Sequence, residues 1–405
     1  MPKFVYKAQL IATGVELEGT EEAENKLDLA RQLKDEGKML LTATEITSST
    51  LNIDRINAFL SRVDLKEKIQ FARNLATMLA AGLPLARAMS IFIRQTKNPK
   101  LKQVLVSISD DINKGMPLSD AMAKFPNIFP SIFIAMVRAG EESGGLVEAL
   151  NVVGGQMEKT YMLKKKVKGA MIYPAVVLCV MIAVGVLMMI YIVPGLAGSF
   201  KEMNVELPMM TKIVIGVSDF LQNEWYFAIL LVVFSAGALW SFQRTQIGKH
   251  VIHWAVLRLP IFGNLAQEFN SALATRTLSS LISAGVDIVR ALEITKEVVT
   301  NVHYKATLEQ ARANVQKGVP LSQTFTRHTD IYPVMVGDMA EVGEETGKLS
   351  DMLLKIAVFY EGEVDAATND MSKLIEPILM IVIATFVGIF AYSMITPMYS
   401  LMNNI

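Results

Sequence analysis

Three stretches of this sequence run without a charge for long enough to cross a lipid bilayer, and no other feature constrains the fold as strongly. They are the 32 residues from Gly169 to Phe200, the 19 from Trp225 to Gln243, and the 29 from Pro377 to Ile405. A helix of about 20 apolar residues covers about 30 Å of hydrocarbon, so each stretch qualifies. The rest of the composition agrees: 52% of the 405 residues are hydrophobic and 19% charged. That balance excludes a disordered chain. A lone cysteine, Cys179, excludes a disulfide scaffold. Thirty-nine basic residues against 39 acidic ones give no net attraction to nucleic acid.

Basic residues near the spans set the expected orientation. Lys159, Lys164, Lys165, Lys166 and Lys168 precede the first span, and Arg244, Lys249 and Arg258 follow the second. The loop between them carries Lys201 and Lys212 against four acidic residues, and the tail after the third span has no basic residue. The expected arrangement places the N-terminus in the cytoplasm and the C-terminus outside. MPKFVYKAQL at the N-terminus lacks the apolar segment of a signal peptide.

Sliding the sequence against itself reveals a duplication at an offset of 203 residues. From Arg73 to Pro174, 27 of 102 aligned pairs are identical, about 26% where ordinary amino-acid usage gives roughly 6%. KGMPLS (114–119) pairs with KGVPLS (317–322), GEESGGL (140–146) with GEETGKL (343–349), and Pro174 with Pro377. Farther on, Pro194 pairs with Pro397. The repeated unit is a soluble part plus one membrane helix, and the unrepeated second span returns the chain so that both soluble parts share a side.

Each soluble copy reads as six helices. In the first, Asp64 and Glu67 form a capping-box start before KIQFARNLATMLAAG, which stops at Gly82. Pro84 and Pro99 open the next two. Ser119 caps a short fourth, Pro130 starts a fifth that ends at Gly140, and a sixth runs from about Leu146 through KKKVK into the membrane. The second copy repeats this from about Phe269 to Met371. The first 60 residues differ: two strands with a turn at Thr13-Gly14, a helix from Ala23 to Glu36 closed by Gly37, a third strand MLLTATEI, and a polar linker.

The expected architecture is therefore a mainly α, polytopic membrane protein with two duplicated six-helix cytoplasmic bundles. Its segments are a small α/β module (1–47), a linker (48–63), the first bundle (64–170), a first span (171–194), an outer loop (195–222), a second span (223–243), the second bundle (244–373), a third span (374–397) and an outer tail (398–405).

Chemistry is sparse. His250 and His253 stand three apart without a nearby Cys, Asp or Glu, which suits interfacial residues better than metal ligands. Cys179 has no neighbour to stabilise a thiolate. No GxxxxGK[ST] loop is present, and the glycines of GGLVEALNVVGG lack the preceding strand of a dinucleotide site. No catalytic, cofactor-binding or metal-binding residue is expected. The spans carry no ionisable relay, and the two copies keep one orientation, so a small transporter is the weaker reading. Two features remain as candidates. Glu141-Glu142 and Glu344-Glu345 stand at matching places beside glycines, as partner contacts, cation ligands or carboxylates at a helix start. Pro174 and Pro377 are placed to start or kink the membrane helices.

The duplication, the prolines and the GEESG and GEETG turns, together with RLPIFG (258–263), ELP (206–208), FYEGEVD (359–365) and LIEP (374–377), resemble one family. It is the PilC/GspF family, the inner-membrane platform protein of bacterial type IV pilus and type II secretion machines. Lys348 stands where the first copy has Gly145, a departure from strict equivalence of the turns. The resemblance implies a non-enzymatic, self-associating protein of the bacterial inner membrane, embedded in lipid. Its bundles would meet a hexameric assembly ATPase, and its membrane part would meet pilin or pseudopilin subunits and alignment proteins. It leans towards a pilus, of the mannose-sensitive haemagglutinin type, with type II secretion as the alternative.

Overall fold

The computed structural model describes residues 3–10, 16–23, 26–46, 62–202, 207–259 and 262–403. The predicted Thr13-Gly14 turn and most of the linker lie outside them. The chain divides into two compact units, Met1–Phe129 and Pro130–Ile405, so the division falls inside the stretch expected to form the first bundle.

In the first unit, strands β1 (Lys3–Leu10), β2 (Glu16–Glu22) and β3 (Lys38–Ile46) form an antiparallel sheet in the order β2-β1-β3. Helix α1 (Lys26–Asp35) buries Leu29 and Leu33 against Tyr6 and Ala8. Four helices follow: α2 (Leu65–Ala80), α3 (Leu85–Gln95), α4 (Pro99–Asn113) and α5 (Leu118–Ala123). The capping box is formed, with Leu65 N–H donating to Asp64 Oδ1 at 2.8 Å and Asp64 N–H to Glu67 Oε2 at 2.9 Å. Gly82 takes the left-handed conformation, φ 83°, that closes α2. Phe71, Leu75 and Ile69 on α2 turn inwards, and the Phe71 ring meets those of Phe92 and Phe129. The short α5 begins after Pro117, and Ser119 is its second residue, so Ser119 does not cap it.

The second unit begins with α6 (Ser131–Ser143) and α7 (Leu146–Ala170). After a single turn residue, Met171, α8 (Ile172–Leu187) continues into a π-helical turn (Met188–Ile192) and α9 (Val193–Glu202). Then come α10 (Met209–Asn223), α11 (Trp225–Arg244) and α12 (Gln246–Arg258). The second copy supplies α13 (Phe262–Ser283), α14 (Ile288–Val298), α15 (Val302–Val315), α16 (Leu321–Arg327), α17 (Val334–Glu345) and α18 (Leu349–Asn403). Helix α13 starts seven residues earlier than the repeat suggests.

The core of this unit gathers α13, α14 and α18 with α6 and α7. Gln156 on α7 donates to Thr277 Oγ1 on α13 at 3.0 Å and accepts from the Ser280 hydroxyl at 3.3 Å. Beside this core Tyr332 is buried between Tyr304, which it meets edge to face, and Phe325, whose ring is tilted against it. Tyr304 donates to the Ile331 carbonyl at 2.5 Å, and burial pushes its hydroxyl pKa well up.

Among the described residues, three helical segments are long and apolar enough to cross a membrane: Leu146–Phe200, Trp225–Arg244 and Leu349–Thr396. Helix α11 buries none of its residues, and its end carries the Arg244 guanidinium 3.6 Å over the Trp240 ring, an interfacial pairing. Gly185, buried on α8, lets Phe386 of α18 approach so closely that a Cβ there would meet Phe386 Cζ at 3.0 Å. Small residues at crossings of membrane helices serve this purpose.

Candidate functional site

The acidic pairs do not stand at helix starts. Glu141-Glu142 lie in the last turn of α6, and Glu344-Glu345 end α17. Sequence reading placed the stop one turn early because Gly140 and Gly343 look like breakers. Both are buried helix residues that admit a neighbour: a Cβ on Gly140 would meet Ala149 Cβ at 2.5 Å, and one on Gly343 would meet Leu349 Cα at 2.8 Å. The helix stop is Gly144, φ 74°, in one copy and Gly347, φ 69°, just beyond the end of α17.

Carboxylates at a helix C-terminus face the negative end of its dipole. Glu344 is compensated by another helix. It accepts from Leu321 N–H at 2.6 Å, Ser322 N–H at 3.1 Å and the Ser322 hydroxyl at 2.6 Å, so it caps the N-terminus of α16. This joins the two most recognisable repeated strings, the PLS of one and the GEE of the other, in a single local structure. Leu118, Ser119 and Glu141 stand at the same repeat positions in the first copy. Glu142 and Glu345 are exposed.

The two candidate prolines differ. Pro174 is the third residue of α8, directly after the break at Met171. Pro377 does not start a helix: α18 runs through it without interruption for 55 residues.

Two charge pairs that sequence reading missed brace the long helices. Arg276 on α13 grips Glu361 on α18 through two bonds of 2.5 and 2.7 Å, with side chains only 14% and 13% exposed. Lys166 on α7 bonds Asp365 on α18. The signal for the first was present, since Arg73/Arg276 and Glu158/Glu361 are both identical pairs of the repeat. Glu158, Lys159, Lys166, Glu361 and Asp365 line a cleft of about 310 Å³.

Three of the four histidines lie on α12 and α15. His253 Nδ1 accepts from Val302 N–H at 3.1 Å, and the His250 and His303 rings meet at 5.8 Å. Burial, followed by the charges of His303, His250, Lys249 and Lys305, holds His253 below the usual imidazole range. Among the described residues, no three His, Cys, Asp or Glu side chains are placed to hold a metal ion.

The polar and ionic ties join α7, α13 and α18, of which α18 continues as an apolar span. The chain is 37% identical to the type IV pilus assembly protein PilC of Thermus thermophilus across all of this chain and 99% of that protein. It is 33% identical to the PilC of Pseudomonas aeruginosa over 82% of this chain and 89% of that one. It is 32% identical to the type II secretion system protein F of Xanthomonas campestris pv. campestris over the whole of both. The family model of type II secretion system protein F matches twice, at residues 71–194 and 274–397, so the second match starts and ends 203 residues after the first. Both matches close on the paired prolines, Pro194 and Pro397, and by this doubled signature the chain belongs to the type II secretion system protein F family.

Proposed function

We propose that this chain is the inner-membrane platform of a type IV pilus machine and couples a cytoplasmic hexameric ATPase to the movement of pilin subunits. The observation that carries this reading is α18, which leaves a braced bundle and runs unbroken through an apolar span. A rigid element of this kind passes on displacement without needing chemistry of its own. The higher full-length identity to a pilus assembly protein, 37% against 32% for the type II secretion protein, supports the pilus over the secretion reading. The basic residues flanking the first two spans favour bundles in the cytoplasm and a C-terminus outside.

Within this reading, Glu142 and Glu345 are the exposed partner contacts, and Pro174 is the joint between bundle and membrane. Pull-down of the tagged full chain from gently solubilised bacterial membranes tests the reading, with an ATPase and a pilin expected in the eluate. Deletion of the gene is expected to remove surface fibres. Normal fibres with lost export of folded enzymes would instead establish the type II secretion reading, which rests on the 32% full-length match. Glu142→Lys with Glu345→Lys is expected to stop fibre assembly while leaving the protein at normal abundance. Normal fibres from that variant would remove the partner-contact role.

A further inference from the structure

Helix α10 lies in the segment between the first and second spans, which has no counterpart in the repeat, yet it bonds to both copies at equivalent points. Pro194 has no N–H, so two carbonyls lose the donor it would have supplied: Ile190 in α-helical register and Met189 in π register. The chain there is π-helical, with Val193 N–H reaching back to Met188 O. Gln222 of α10 donates to the Ile190 carbonyl at 2.6 Å, and the Ser218 hydroxyl donates to the Met189 carbonyl. In the other copy Pro397 leaves the carbonyl of Ser393 without its helical donor, and the Thr211 hydroxyl of α10 donates to that oxygen at 2.6 Å. Thr211, Ser218 and Gln222 are spaced by seven and four, so they share one face. Thr211 and Ser218 are buried, and Val214 on the same side packs with Val193, Phe200 and Met394.

The remaining surface of α10 has two sectors. At about 100° per residue, Lys212, Asp219 and Asn223 fall together on one flank. Met210, Ile213, Val217 and Phe220 fall on the side opposite the carbonyl-bonding face, and they are exposed by 54, 52, 45 and 42%. The three-sided helix is thus fixed by bonds to the backbones of two apolar spans, beside the prolines near their ends, and lies in the chain between the first span and the second. An exposed apolar face beside a charged flank, on a helix held at the end of two membrane spans, points to hydrocarbon as what covers the stripe.

We propose that α10 is an interfacial clip: one face fills the two proline notches and holds the repeat-related spans together, the opposite face lies among lipid acyl chains, and the charged flank faces water.

The depth half of the proposal is tested in full-length protein carrying Cys179→Ser, with single spin-labelled cysteines at Val217 or Asp219, in vesicles of phosphatidylcholine and phosphatidylglycerol at three to one. The Val217 label is expected to collide freely with oxygen and several-fold less with an aqueous nickel chelate, and the Asp219 label is expected to reverse that order. Equal nickel access at both sites would place the helix in water and overturn the proposal. Shielding of Val217 from both reagents would mean that a protein, either a partner or a second copy, covers the stripe, which also overturns it. The clip half is tested by reversible unfolding in bicelles. Ser218→Ala is expected to raise the unfolding equilibrium about threefold, the size of a typical bond between membrane helices. It is expected to change nothing in a Pro194→Ala background, where the restored N–H satisfies Met189 in the π register. An equal rise in both backgrounds would show that Ser218 does not serve the notch.

Discussion

The two copies of the repeat enter the membrane differently. Helix α7 stops at Ala170 and resumes as α8, whereas α18 passes the same point without a break. Both carry a proline there, 203 residues apart, so the proline alone does not decide the outcome. An interior proline costs a helix about 3 kcal/mol. Packing up to the proline can offset that, and only one copy has it. On α18, Val364, Thr368 and Met371 are buried, the last of them six residues before Pro377. On α7 the last buried residue is Leu163, eleven before Pro174. The repeat partners of Thr368 and Met371 are Lys165 and Lys168, which prefer water. The basic stretch before the first span therefore deprives it of the packing that would keep it straight.

Breaking the braces of α18 tests this account most severely. Arg276→Ala strands the Glu361 carboxylate at a site about one-seventh exposed and is expected to cost about 3 kcal/mol, read by reversible unfolding in detergent. Arg73→Ala measures whether the first copy relies equally on its own arginine. A loss below about 1 kcal/mol at Arg276 would remove the bracing role. Next in size, Gly185→Val forces the α8–α18 crossing apart and should cost about 2 kcal/mol. Gly388→Val, where nothing lies within 4 Å of an added Cβ, should cost little.

Glu344→Gln keeps the shape of the α16 cap but removes its charge, with an expected loss of about 1 kcal/mol. Glu345→Gln on the exposed neighbouring position should be neutral in the same assay. Pro174→Ala is expected to change stability by less than about 1 kcal/mol while straightening the α7–α8 joint. Pulsed electron–electron distances from α7 to the far end of α8 would lengthen, and Pro377→Ala would leave the corresponding distances on α18 unchanged.

The smallest effect concerns pH. Hydrogen bonds from Arg312 and then Lys296 hold Glu309 down to about 2 from an ordinary 4.5. A depressed carboxylate contributes its stability above the unfolded value and loses it as the pH falls through the folded one. The second unit should therefore weaken slightly between pH 4.5 and 2, and Glu309→Gln should abolish that part of the slope. The side chains are exposed enough for solvent to screen the pair, so the change is small.

Much of the fold was legible because it depends on local chemistry. The capping box at Asp64, the helix-closing glycines Gly37 and Gly82 and the long apolar runs need only neighbours in sequence. The partners of Glu344 and Gln222 were not legible. Each bonds to backbone groups more than 20 residues away, and a backbone carbonyl or N–H leaves no signature in a sequence. Gly140 and Gly343 misled for a related reason: a glycine that ends a helix and one that admits another helix read alike.

At about 1.5 Å per residue, α18 is a shaft some 80 Å long. In its twin the single turn residue Met171 separates α7 from α8. Under the proposed coupling, torsion applied to the unbroken shaft would emerge as torsion at its far end, and a joint in the twin would convert the same input into a swing.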